Sequence, residues 1–124
     1  MAENKEVSEI EYEVEDITPS QVNDEIRETL ELLKSDEDMR QTAMDAEISL
    51  AEFDAEMKKA GTGPAIEAQT GAGGFGVVET IVITAGVNLT AKVIFSVWEK
   101  IILPRIQSRH GVQFNKVTRR EKKQ

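Results

Sequence analysis

The sequence predicts a small, mainly α fold with an α+β alternative, and three observations lead there. Two amphipathic stretches carry apolar residues at helical spacing, at about 19–34 and about 37–60. A nearly apolar run from Gly76 to Leu103, broken only by Glu79, Lys92, Glu99 and Lys100, predicts a long apolar helix at about 77–103. Brief alternation near 8–15 and 112–118 leaves room for two short strands. The 124 residues suffice for one domain with a modest core. Composition divides it into an acidic strand and helical hairpin (1–60), a glycine-rich linker (61–76), the apolar helix (77–107) and a basic tail (108–124).

In the first segment Ile10, Tyr12 and Val14 alternate with Glu9, Glu11, Glu13 and Glu15, the period of a strand with one charged face. Thr18 before Pro19 has the form of an N-cap followed by a first-turn proline. Val22, Ile26, Leu30 and Leu33 then make one apolar stripe. Ser35 and Asp36 interrupt it and can cap the next helix, whose first turn, Glu37 and Asp38, suits the positive end of a helix dipole. From there Met39, Ala43, Ala46, Leu50, Phe53 and Met57 step by fours and threes as a heptad seam that ends at Lys58, Lys59 and Gly61. The seam either packs on the first helix as core or offers Leu50, Phe53 and Met57 to a partner.

Residues 61–76 hold six of the eight glycines and Pro64, the composition of a linker. Gly71, Gly73 and Gly76 fit the G-x-G-x-x-G spacing of dinucleotide sites, but Pro64 to Thr70 is not the apolar strand that such a site follows. The run GAGGFGVV is similar to the glycine-rich loop of protein kinases, and Lys92 stands where that resemblance would place a phosphate-gripping lysine. No catalytic-loop aspartate or magnesium-binding motif follows in this chain, so the match is coincidental and carries no kinase chemistry.

Val77 to Thr84 is seven-eighths β-branched and favours a strand on propensity. Beyond Gly86, Val87, Ile94, Val97, Trp98 and Ile101 cluster on one helical side, with Asn88, Lys92, Ser96 and Glu99 as a polar stripe opposite. One helix over 77–103, ended or kinked at Pro104, is the expectation. From Thr80 to Trp98 there are 19 residues with one charge, enough to cross roughly 30 Å of hydrocarbon. Lys92 near the centre costs about 3 kcal/mol on an insertion scale, which the apolar side chains roughly cancel. The helix is therefore expected as a soluble core element, and a membrane-inserting or pore-forming segment is the alternative. The interaction candidates are accordingly Leu50, Phe53, Met57, Asn88, Lys92, Ser96, Glu99 and Trp98.

Charge is sorted along the chain: residues 1–60 carry 19 acidic and 6 basic side chains, and 104–124 carry 7 basic and one acidic. The basic tail can meet the acidic half, an anionic partner or an anionic lipid surface. With a pI near 4.7 no nucleic-acid partner is expected. The absence of cysteine excludes disulfides, thiolate catalysis and thiolate-bound metal. His110 is the single histidine and is expected at the surface. The acidic start is unlike a secretory signal, so a cytoplasmic location is expected, with membrane association as the alternative. No catalytic, cofactor-binding or metal residues emerge, and the chain is not expected to be an enzyme.

Taken in order, the acidic strand, the helix ending LELLKSDEDMR, the glycine-rich connection, the helix closing VWEKIILPRI and a short last strand resemble the effector-associated constant components of bacterial conflict systems. The resemblance spans most of the chain and rests on element order, the Asp-rich turn and the helix end from Trp98 to Arg105. It departs at 44–52, where that family's pattern would place a strand and this sequence has the seam. It implies a non-enzymatic adaptor acting with an effector protein, and no catalytic or binding residue carries over. Packing of the seam helix on the apolar helix separately leaves a homo-oligomer as an alternative partner state.

Overall fold

The computed structural model describes residues 7–71 and 79–121, and the side chains of 9–71 and 79–116. Along the chain run β1 (Val7–Val14), α1 (Pro19–Ser35), α2 (Glu37–Asp45), α3 (Leu50–Ala60), β2 (Ile66–Thr70) and β3 (Glu79–Ala85). Then α4 (Ala91–Val97), a π-helical turn (Trp98–Ile102) and α5 (Leu103–His110) follow without a break, and β4 (Phe114–Glu121) closes the order. The fold is α+β: one antiparallel sheet in the order β2-β3-β1-β4, with helices packed on one face.

The alternation read in β1 is what builds this layer. Ile10, Tyr12 and Val14 enter one core cluster with Ile81 and Ile83 of β3, Val22, Ile26 and Leu33 of α1, and Ile94, Trp98, Ile102 and Ile106 of the last helix. Tyr12, Trp98 and Phe114 form an aromatic trio with centroids 5.5 to 6.2 Å apart, in the tilted and edge-on geometries such rings favour. Inside it the indole Nε1 of Trp98 donates to the Tyr12 hydroxyl at 2.9 Å.

Helix ends follow local chemistry. Thr18 caps α1 in a reciprocal box with Gln21. Asp36 caps α2 by accepting from the Met39 amide at 2.9 Å. Gly61, at φ +60°, ends α3. Arg40 of α2 ties the three helices together: it donates to the Leu33 carbonyl at the end of α1 and pairs with both oxygens of Asp54 on α3.

Several expectations are corrected. The helix expected at 37–60 is two helices, because the chain turns at residues 46–49. Ile48 N–H bonds the Ala43 carbonyl and Glu47 N–H bonds that of Met44, a Schellman closure with Glu47 at φ +67° in place of the usual glycine. Residues 44–52 hold this turn and hold no strand. The segment read as a linker carries β2. The expected strand at 112–118 starts two residues later.

The long apolar helix at 77–103 is not formed. Its β-branched first half is β3, whose burial on both faces gives a continuous apolar run. Gly86 and Asn88, the latter at φ +69°, turn the chain before the helix starts at Ala91. Pro104 does not end it. The π turn lets Leu103 N–H reach back to the Trp98 carbonyl just before the residue without an N–H, and the helix runs on to His110. No helix among the described residues is long and apolar enough to cross a membrane. The glycine run from Ala72 to Gly76, Val77, Val78 and the tail end from Lys122 lie outside the described residues. The strands flanking that run pair antiparallel, and Lys92 stands on a helix, where the kinase-like match would need a strand.

Candidate functional site

A groove of about 670 Å³ runs between α1 and the connection from α3 to β2. Ile26, Ala65 and Ile66 are its buried floor, with Leu30 and the half-buried Met57 beside them. Arg27, Glu31, Lys34 and Glu67 are exposed around it. This geometry arises because α1 turns its apolar stripe to the sheet at a point where β2 is short and α3 stops at Gly61. An apolar floor under a rim of both charges suits a protein side chain better than a polyanion.

Asn23 stands at the end of this groove and controls the edge of the sheet. Its side chain accepts from the Ala68 amide at 2.8 Å and donates to the Ala68 carbonyl at 3.0 Å. The ladder explains why Ala68 is available. Gly71 N–H bonds the Thr80 carbonyl and Gly86 N–H bonds that of Ala65, so alternate residues of β2 face β3 and Ala68 faces outward.

A second cluster joins α1 to the end of α5. Glu25, only 7 % exposed, lies 2.9 Å from His110 Nε2, 3.1 Å from Arg109 Nε and 3.5 Å from Arg105 Nη1. Arg105 also donates to the buried Thr29 hydroxyl at 3.3 Å. Burial pushes the Glu25 carboxyl pKa up, and the His110 hydrogen bond with the charge and hydrogen bond of Arg109 overcomes it, leaving the carboxyl below its ordinary value. A third contact pins α3 to α4: buried Glu56 accepts from the Thr90 amide at 2.7 Å and pairs with Lys59 at 3.0 Å. Among the described residues no group of His, Asp and Glu could hold a metal ion.

The residues singled out from sequence are dispersed. Phe53 and Trp98 are core, with 1 % and 0 % of their surface exposed, so neither is presented to a partner. Leu50 is half-buried against the core, and Met57 is the member that reaches the groove. The polar stripe is broken: Asn88 sits in the turn before the helix, Lys92 is exposed on α4, Ser96 is half-buried, and Glu99 in the π turn pairs with Lys116 of β4 at 3.2 Å. Sequence reading missed Asn23 and Glu25. Both lie beside the α1 stripe, Asn23 three positions before Ile26 and Glu25 three after Val22, and that spacing is the signal that polar side chains there face the fold.

The chain matches no protein-family model, no curated protein and no solved structure.

Proposed function

We propose that this chain is a non-enzymatic protein-interaction module that holds a partner protein, or a second copy of itself, in the groove beside Met57. The groove carries the reading, because an apolar floor edged by both charges is the surface chemistry of protein recognition. The titratable groups also favour it: Glu25 with His110, and Glu56 with Thr90, are engaged in joining one helix to another. An adaptor role beside an effector in a bacterial conflict or defence system, in the cytoplasm, rests on the resemblance in element order. The membrane-inserting alternative loses the helix it required.

The test is a comparison of the tagged full chain with its Met57→Glu variant, in native extract and in sedimentation. The reading expects the wild type to hold a defined protein or to self-associate, and the variant to lose that association with its circular dichroism unchanged. Equal behaviour of the two would remove the groove as the interaction surface.

A further inference from the structure

We infer that the outer edge of β4 is a strand-addition site for an extended acidic segment of a partner protein. The sheet's two edges are treated differently. At β2 the outward polar groups of Ala68 are taken by Asn23, whereas among the described residues no strand lies outside β4. β4 is eight residues long against five for β2, enough for several main-chain hydrogen bonds.

The ladder says which groups are on offer. Thr80, Val82 and Thr84 face β2, so Ile81 and Ile83 face β1, and by alternation Glu9, Glu11 and Glu13 face β4. Their partners Asn115, Thr118 and Arg120 therefore face inward; the register shifts between Glu11 and Tyr12, where Val117 is the extra residue, and on either side of this bulge Lys116 and Arg119 turn their N–H and C=O groups outward.

Charge chooses the occupant. β4 carries three basic residues, Lys116, Arg119 and Arg120, and one acidic, Glu121. A second β4 added antiparallel would set like charges opposite one another, which opposes self-pairing. An acidic strand is complementary, and the fold contains the precedent: the inner edge of β4 already takes β1, whose alternate residues are Glu9, Glu11 and Glu13. This surface is separate from the α1–β2 groove, so each can fail without the other.

The test uses the full chain, labelled for amide NMR, and a capped peptide with the sequence of residues 7–15 as the probe. Saturable binding is expected, with slowed hydrogen exchange at Lys116 and Arg119 and weakening as salt approaches about 0.15 M, where charges are screened beyond roughly 8 Å. Lys116→Pro removes one outward N–H at a position where an edge strand tolerates proline, and should weaken binding at least about tenfold, the loss of one main-chain anchor. Arg119→Glu with Arg120→Glu should weaken it without any change of backbone. The inference is overturned if the peptide shifts amides elsewhere, or if a polyglutamate peptide of equal charge binds as well. It is overturned in favour of a lipid surface if phosphatidylserine vesicles perturb the same amides and displace the peptide. The Met57→Glu variant should bind the probe like the wild type.

Discussion

Asn23 of α1 grips Ala68 of β2 by both backbone polar groups, accepting at 2.8 Å and donating at 3.0 Å, so that one side-chain amide stands in for a neighbouring strand. An exposed edge invites pairing with another chain, and this contact occupies the middle residue of a five-residue edge. Replacing Asn23 with Ala should cost about 1–3 kcal/mol, the sum of two partly buried hydrogen bonds. It should also open the edge to self-association. Urea unfolding gives the first quantity and concentration-dependent gel filtration the second. A variant as stable and as monomeric as the wild type would show that the clamp is incidental.

The Tyr12 hydroxyl is the hydrogen-bond acceptor for the indole N–H of Trp98, and both rings are buried. Tyr12→Phe keeps the aromatic packing and removes the acceptor, leaving a buried donor without a partner. About 1–3 kcal/mol of stability should be lost. Trp98 is the single tryptophan, so its fluorescence reports both the unfolding transition and the change in its surroundings. An unchanged midpoint would mean that the hydrogen bond adds nothing to the packing.

Glu56 decides how α3 meets the start of α4, because its carboxylate takes the Thr90 amide at the helix N-terminus, where the unpaired N–H groups favour negative charge. Glu56→Ala should destabilise by about 1–3 kcal/mol and speed hydrogen exchange at Thr90. Glu56→Gln keeps an acceptor there and should recover most of both. If Gln and Ala behave alike, the charge rather than the hydrogen bond carries the contact.

Where a residue's role is local, the sequence made it readable; where it depends on distant neighbours, it did not. Thr18 with Pro19, Asp36 and Gly61 mark their helix ends by chemistry that needs nothing beyond one turn of chain. The end of α2 escaped because Glu47 takes the left-handed position that a glycine would have advertised. Its one signal was Ser49, which caps α3 through the Glu52 amide. The run from Glu79 to Ile102 escaped for another reason: a strand buried on both faces and a buried helix are both continuously apolar, and only the β-branched residues before Gly86 distinguish them. β2 has just two buried side chains in five residues, Ile66 and Ala68, and exists because β3 and Asn23 pair with it. Of the groove, Met57 was legible in the seam. Asn23 was not, since its partner lies 45 residues away.

The Glu25 cluster makes a pH-dependent contribution whose sign is set by the lowered carboxyl. Burial opposes ionisation, but His110 and Arg109 more than compensate, so the folded-state pKa lies below the ordinary 4.5. A group depressed on folding stabilises the fold at pH above its unfolded value, and that contribution is lost as pH falls through the folded one. Stability should therefore decline on acidification below about pH 4.5. Glu28, 3.7 Å from Arg105 and 3.9 Å from Arg109, shares the same two guanidinium groups, and Asp54 and Glu56 shift in the same direction. The Glu25 share must then be isolated by difference. Glu25→Gln removes the titration while keeping the shape, so the stability gap between wild type and variant should be widest near neutrality and narrow as the pH drops. Urea unfolding across that range measures it, and parallel curves for the two proteins would rule out Glu25 as the group responsible.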